Sequence, residues 1–250
     1  MPADGWVYYD GTAGNYATHP DSPALDAITG DIDVQSLVAL DDWSNGNDQA
    51  HWSKFGGVGA RGVLFRMTSV GLLQFSWSHD GTTQNTESSS VSVSQGDGTK
   101  QWVRATLDVD NGAGDAEVKF YKGGSAAVPS WVQLGATQLF GSTTSQQPNN
   151  VLGYVASREG GASILYGYVY EIRVYEDLTE TNLVFNPKFH SLSAAEIAAK
   201  SFTESSSNAA TVTLVGSAWT ALAETAAVAT GSASRMGLTG AIRNRGGQPR

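Results

Sequence analysis

The sequence predicts an all-β protein, an antiparallel β-sandwich, and three observations support this prediction. Apolar and polar residues alternate in several short segments, a period of two that indicates strands. Glycine is abundant, with 29 in 250 residues, and only 16% of residues are charged. That composition suits many short strands joined by tight turns. A chain of this length can also form one large sandwich with a sizeable core.

The alternation is clearest in residues 101–134. Residues 102–109 alternate between apolar and polar side chains and predict a half-buried strand. The polar run 110–115 (DNGAGD) predicts a turn, because Asp, Asn and Gly tolerate turn geometries. A second strand follows at 117–121 and a third begins at 131–134, which together predict a meander.

The remaining segments follow the same pattern, with one exception. Ser193 and Glu196 have the spacing of a capping box and predict one short helix that ends at Ala199 or Lys200. We expect residues 178–186 to form an irregular connection. The other predicted strands are 6–9, 32–38, 63–67, 72–76, 151–156, 166–175 and 211–215.

Composition excludes several classes of function. There is no cysteine, so disulfides and thiolate metal sites are excluded. The net charge of −9 disfavours binding to phosphate backbones, and we expect no nucleic-acid partner. No segment has the roughly 20 apolar residues that span a bilayer, and no signal peptide is evident, so we expect no membrane insertion.

The composition changes near residue 218, which predicts a domain boundary. Residues 1–217 form the predicted sandwich, and residues 218–250 are rich in Ala, Thr, Ser and Gly, with little apolar bulk. We expect 218–250 to be an extended C-terminal arm that docks on a partner, since it is too small to bury a core alone. This segment contains one acidic residue, Glu224, and four basic residues, which are Arg235, Arg243, Arg245 and Arg250.

Several segments, in order, resemble the laminin-G/concanavalin A-like jelly roll. The opening run 8–11 (YYDG) and the run 21–25 (DSPAL) are similar to the start of that family, and 167–175 (GYVYEIRVY) is similar to a late strand. The resemblance covers residues 5–217. It implies an antiparallel concanavalin A-like (LamG) jelly-roll sandwich with one short helix, followed here by the arm.

A narrower resemblance is to LamG-like minor tail proteins of actinobacterial tailed phages. It is carried by residues 104–114, 131–135 and 201–208. It implies a non-enzymatic virion structural protein, assembled in the host cytoplasm, that contacts other virion proteins and forms a homo-oligomer in the particle. The jelly roll would face outward towards host cell-wall glycans. Two alternatives remain open: a capsid decoration protein and a dedicated carbohydrate-binding adhesin.

Catalytic patterns are absent from the sequence. Glycanases on this scaffold carry an E-x-D-x-x-E strand that places two carboxylates together, and no such triplet occurs here. Glu171 and Glu176 are five residues apart, so alternation sends them to opposite faces, and we expect Glu171 to be a structural acid. Residues 57–62 match G-x-G-x-x-G, but a strand follows instead of a helix, which predicts a turn.

Clustered acids give a candidate metal site, and Asp31 and Asp33, which share a strand face, are a further candidate. Asp108, Asp110 and Asp115 could supply carboxylates to calcium, and some LamG relatives bind calcium at a rim. Gly112 stands where an EF-hand would need a further ligand, and turn chemistry alone also accounts for these residues. Both interpretations remain, with the turn favoured.

Three tryptophans give a candidate carbohydrate site. Trp43, Trp52 and Trp77 lie in or beside predicted loops, and Trp43 has polar neighbours at Asn45 and at 47–48. Aromatic rings beside amide and carboxylate groups suit a sugar, whose apolar face packs on a ring. Tryptophans of a sandwich also commonly belong to the core, and this second interpretation competes with the first.

Overall fold

The computed structural model describes residues 5–217 and 219–222. Its strands in the first half are β1 (Trp6–Asp10), β2 (Tyr16–His19), β3 (Ile32–Leu40), β4 (Gln49–Lys54), β5 (Val63–Met67), β6 (Leu73–Trp77), β7 (Asn85–Ser88), β8 (Gln101–Asp108) and β9 (Glu117–Gly123). Those in the second half are β10 (Val132–Gln133), β11 (Gln138–Leu139), β12 (Gly153–Val155), β13 (Tyr166–Tyr175), β14 (Leu183–Phe185), β15 (Ser201–Thr203), β16 (Thr211–Val215) and β17 (Trp219–Leu222). The α-helices are α1 (Pro23–Asp26) and α2 (Ala194–Ala199).

These strands form two antiparallel sheets packed face to face. Sheet A has the order β10-β9-β8-β3-β13-β1-β17, with β11 also paired to β9 and β14 to β13. Sheet B has the order β15-β16-β2-β12-β4-β5-β6-β7. Strands adjacent in one sheet are often distant in the chain, as when β3 pairs with both β8 and β13. The predicted fold class, an all-β antiparallel sandwich, is confirmed.

The core lies between the sheets and is built from the inward residues of each strand. In β8 these are Val103, Ala105 and Leu107, and in β9 they are Val118 and Phe120, as the alternation predicts. Burial of such apolar surface is the main favourable term in folding.

The outer face of β8 departs from the prediction of a half-buried strand. Trp102, Arg104 and Thr106 are buried too. The loop before β10 covers this face, because the Trp102 indole donates a hydrogen bond to the carbonyl of Ala126 (2.9 Å). The connection after β13 also covers it, because Arg104 donates to the carbonyl of Leu178 (3.4 Å). The alternation of residues predicts on which face of β8 a side chain lies, but it does not predict whether that face is covered, and here both faces are.

The predicted helix is confirmed, and a second one is added. Ser193 and Glu196 form the complete capping box, and α2 ends at Ala199, after which the left-handed backbone of the C-cap Lys200 (φ 55°) closes the last turn. The sequence prediction of one short helix missed α1. Its four residues begin after the N-cap Ser22, whose hydroxyl accepts from the amide of Leu25. A helix of one turn is too short to show a helical period.

Two predicted boundaries are also corrected. The connection 178–186 is not wholly irregular, because β14 lies within it and pairs with the end of β13. Sheet A extends past residue 217, because β17 pairs with β1 in the register Val7↔Ala221. The four residues described after 217, which are 219–222, therefore belong to sheet A, and an arm would start after them. The four arginines predicted to dock it lie outside the described residues.

Candidate functional site

A row of aromatic side chains lies on the outer face of sheet A, where β1 and β13 pair. Val7, Tyr9 and Val169 point into the core, so the residues that alternate with them along β1 and β13 lie on the outer face. The register places Tyr8 opposite Tyr168. We call the outer residues the aromatic ladder: Trp6, Tyr8, Tyr166, Tyr168 and Tyr170.

The rings of the aromatic ladder contact one another in sequence. The centroid of Tyr168 lies 5.0 Å from that of Trp6, edge-on, and 4.8 Å from that of Tyr8. Tyr166 lies 6.3 Å from Tyr8, and Tyr170 is stacked 6.5 Å from Tyr168. Such spacings are typical of favourable aromatic pairs. The ladder is therefore a continuous aromatic surface, half-buried along most of its length and exposed at Tyr166.

Polar groups hold two of the ladder's rings in place. The Tyr8 hydroxyl donates to the Asp41 carboxylate at 2.8 Å. Burial and this hydrogen bond raise the pKa of Tyr8, so its hydroxyl stays protonated. The Lys100 ammonium lies 4.2 Å from the Tyr170 centroid, a cation–π contact.

An open polar cavity of about 770 Å³ lies at the Tyr166 end of the ladder. We call it the rim cavity. Four loops of the sandwich rim converge on it, and Tyr166 belongs both to its wall and to the ladder. Its other lining residues are Asp10, Gly11, Ala13, Asn45, Gly46, Asn47, Asp48, Ser69, Ser163 and Ile164.

Backbone hydrogen bonds fix Tyr166 in this wall. Its amide donates to the Gln49 side chain (2.9 Å), and its carbonyl accepts from the Asp41 amide (3.1 Å). Gly11, whose positive φ of +75° favours glycine, lies beside the Tyr166 side chain, where an added Cβ would be in ordinary van der Waals contact at 3.5 Å. The fold therefore fixes the backbone that carries the Tyr166 ring.

The rim cavity has an acidic wall. Partial burial works against ionisation of Asp10, but hydrogen bonds from Thr12 and Asn15 outweigh it and lower the pKa of that carboxyl. Asp48 accepts from the Ser69 amide (3.1 Å) and pairs with Arg66 at 2.7 Å. Among the described lining residues there are two carboxylates and neither Lys nor Arg.

The three tryptophans predicted to contact sugar belong to the core, so that prediction is wrong. Trp43, Trp52 and Trp77 are 4%, 1% and 0% exposed. The Trp52 indole donates to Nε2 of His19 (3.2 Å), and the Trp77 indole donates to Oγ1 of Thr144 (3.1 Å). A buried ring cannot stack on a ligand. The polar neighbours of Trp43, which are Asn45, Asn47 and Asp48, do line the rim cavity.

The aspartates of the predicted calcium site serve turns. Asp108 accepts from the Asp110 amide (3.1 Å), and Asp110 accepts from the Gly112 amide (3.1 Å). Asp115 follows in the same turn, where its amide contacts Asn111. Within the described residues, no three His or acidic side chains are placed to hold a metal ion. The turn interpretation accounts for Asp108, Asp110 and Asp115, and the calcium interpretation gains no support.

The acids on the outer face of sheet A are engaged in ion pairs. Asp33 is fully buried and bonds Arg104 at 2.7 Å, and the same guanidinium contacts Glu180 at 2.9 Å. Burial raises the pKa of Asp33 to about 7 against the opposing effect of Arg104. Glu171, predicted to be structural, bonds Arg173 (2.8 Å) and the side-chain amide of Asn186 (2.9 Å).

Sequence reasoning missed the aromatic ladder, although its signal is present. Residues 6–9 (WVYY) and 166–170 (YGYVY) both place aromatic residues at alternate positions. Alternation alone puts each set on one face of its strand. Only the pairing of β1 with β13, 160 residues apart in the register Tyr8↔Tyr168, joins the two sets into one surface.

Comparison with protein-family models and with curated proteins found no match. Among solved structures, the chain is similar to the heptameric SAP-like pentraxin of Limulus polyphemus, with 11% identity, a TM-score of 0.43 and coverage of 70% of this chain and 76% of that one. It is also similar to the CBM40 of Ruminococcus gnavus IT-sialidase bound to α2,3-sialyllactose, with 16% identity, a TM-score of 0.43 and coverage of 68% and 91%. It is also similar to the binding domain of botulinum neurotoxin serotype G, with 10% identity, a TM-score of 0.41 and coverage of 69% of this chain and 36% of that one. Likenesses at this level carry no argument about what this chain binds.

Proposed function

We propose that this chain is a non-enzymatic, glycan-binding jelly roll carried on a tailed-phage virion, and that the aromatic ladder and the rim cavity form its binding surface. The observation that carries the proposal is the junction at Tyr166. The Tyr166 ring is 36% exposed, is the last ring of the aromatic ladder and also lines the polar rim cavity.

The chemistry of this junction suits a carbohydrate. A sugar ring presents an apolar C–H face and a rim of hydroxyls, so it needs an aromatic surface beside hydrogen-bonding groups. The ladder supplies the first, and Asn45, Asn47, Ser163 and Asp10 supply the second. Because the fold fixes the backbone of Tyr166, binding costs only the conformational entropy of its side chain at this residue.

The acidic wall narrows the class of sugar. Asp10 lines the rim cavity with no Lys or Arg beside it among the described lining residues, whereas Arg66 offsets the charge of Asp48 from outside the lining. A carboxylate or sulfate on the ligand would be repelled at this short range. We therefore propose neutral sugars or amino sugars as the ligands.

The absence of catalysis is part of the proposal. What supports it is the engagement of the acids on the outer face of sheet A. Asp33 bonds Arg104, and Glu171 bonds Arg173 and Asn186. A retaining or inverting glycosidase needs two carboxyl groups that are free to face one glycosidic bond.

Replacement of Tyr166 by Ala tests the glycan proposal. We expect Tyr166→Ala to weaken binding of neutral oligosaccharides about fivefold, because loss of an aromatic contact costs about 1 kcal/mol. Affinity would be measured by calorimetry against oligosaccharides first identified on a glycan array. The matched control is Tyr154→Ala, a half-buried tyrosine on the outer face of sheet B that packs against Tyr16.

Two results would contradict the proposal. One is an array in which no neutral or amino sugar binds the folded wild-type protein. The other is equal loss of affinity in Tyr166→Ala and Tyr154→Ala, which would place the effect in general stability instead of at the junction.

The virion location has separate support and a separate test. Its support is the resemblance of residues 104–114, 131–135 and 201–208 to phage minor tail proteins. We propose that the chain forms a homo-oligomer in the particle and that its residues after 222 dock on other virion proteins. Mass spectrometry of purified particles should detect the chain, and immunogold labelling should place it on the tail. Labelling of the capsid would favour a decoration protein, and absence from particles would contradict the virion role.

A further inference from the structure

A second cavity, of about 520 Å³, lies at the other end of β6. Ser69, which precedes β6, lines the rim cavity, whereas Asn85, paired with the last residue of β6, lines this one. We call it the distal cavity. The turn after β6 and the segment after β11 form its walls. The lining residues are His79, Thr83, Asn85, Phe140, Ser142, Thr143, Thr144 and Ser145.

Asn85 is the unusual residue of this cavity. It is only 8% exposed, and its side-chain Nδ2 has no hydrogen-bond partner among the described residues. Buried donors are nearly always paired, and an unpaired one is costly. This donor is covered from solvent, but Asn85 lines the distal cavity, so a rotation of its side chain would bring the donor to a ligand acceptor.

The opposite wall is held firmly by the sandwich. The Phe140 amide donates to the Ala116 carbonyl (3.0 Å), and the Thr144 amide donates to the Val109 carbonyl (3.0 Å). The Phe140 ring packs edge-on against Trp77 with centroids 5.3 Å apart. The Trp77 indole also donates to the Thr144 hydroxyl. The cavity is therefore formed before a ligand arrives.

The lining chemistry defines a ligand class. Five of the lining residues, Thr83 and Ser142–Ser145, carry hydroxyls, and Phe140 offers a partly buried ring. The described lining residues include no carboxylate and no Lys or Arg, and His79 is their single titratable group. This combination matches a neutral molecule with several hydroxyls and one apolar face.

We infer that the distal cavity is a second binding site, for a neutral polyhydroxylated ligand of the size of a monosaccharide. An oxygen of the ligand accepts from Nδ2 of Asn85, and its C–H face packs on Phe140. The distal cavity shares no lining residue with the rim cavity, so the inference does not depend on the proposed function.

The test is an NMR titration of the ¹⁵N-labelled full chain with the methyl glycosides of glucose, galactose and mannose. At least one of them should shift the side-chain amide resonances of Asn85. Asn85→Leu should weaken binding of that glycoside about fivefold to tenfold, as expected for one lost hydrogen bond to a neutral group.

A control variant separates the two sites. Tyr166→Ala should leave the Asn85 shifts unchanged, because Tyr166 lies in the other cavity. Asn85 resonances that do not move with any of the three glycosides would overturn the inference, even if the same titration shifts residues of the rim cavity. The wild-type titration reports directly on Asn85, so the test stands even if Asn85→Leu does not fold.

Discussion

At the scale of single residues, Arg104 illustrates how a polar side chain can organise a covered sheet face. Its guanidinium pairs with the fully buried Asp33 and with Glu180, and it lies 5.3 Å from the Trp131 ring. The Trp131 indole in turn donates to Glu180 (3.1 Å). Arg104 thereby ties two covering loops to the strand beneath them.

Replacement of Arg104 by Met should therefore destabilise the fold strongly. The change leaves Asp33 buried without its cation, a loss that typically costs about 3–5 kcal/mol. Urea unfolding at neutral pH measures the difference. Arg61→Met is the matched control, because Arg61 makes an exposed hydrogen bond to the Thr82 carbonyl (2.6 Å), and it should cost less than about 1 kcal/mol. Similar losses in both variants would contradict a special role for the buried pair.

At the scale of elements, the pairing of β1 matters most for function. Its contact with β13 assembles the aromatic ladder, and its other edge is covered by β17. An uncovered edge strand exposes unpaired amide and carbonyl groups and invites association with other chains. β17 is therefore expected to protect the strand that carries Trp6 and Tyr8.

Two truncations test the role of β17. A chain ending at residue 217 should be less stable than one ending at residue 222 by roughly 2 kcal/mol, because it loses the β1–β17 hydrogen bonds. Urea unfolding gives the difference, and light scattering shows whether the shorter chain associates through the open edge. Equal stability of the two chains would mean that β17 adds nothing to the sheet.

At the scale of the whole molecule, burial of two histidines couples folding to pH. Burial lowers the pKa of His19 to about 4 and that of His51 to about 3. His51 lies beside Ser36 (3.0 Å) and Phe65 in the interior. Between about pH 6.5 and pH 4 these two histidines therefore bind more protons in the unfolded chain than in the folded one, and their contribution to stability falls as the pH falls.

The variant His51→Gln should lose less stability on acidification. Relative to its own value at pH 7, it should retain about 2 kcal/mol more than the wild type at pH 4.5, because a neutral amide takes up no proton. Urea unfolding at both pH values gives this difference. Asp33, whose raised pKa acts in the opposite direction, contributes equally to both proteins and cancels. His79→Gln, at a half-exposed position, is the control and should follow the wild type. A His51→Gln profile parallel to that of the wild type would contradict the mechanism.

The sequence by itself determined the features that depend on neighbouring residues. The bounds of β13 and the capping box of α2 follow from alternation and from Ser193 and Glu196, which act within one strand or one turn. The turn at residues 110–115 follows from local Asp and Asn hydrogen bonds in the same way.

Only the tertiary structure decided which residues are covered and which surfaces are joined. Trp52 and Trp77 stand beside polar neighbours in sequence, yet the opposite sheet buries them, and no local pattern records that second layer. Tyr8 and Tyr168 become neighbours through a strand register set by packing across the whole sandwich. Strand pairing and burial depend on residues far apart in the chain, so the candidate binding surface exists only because β1 pairs with β13.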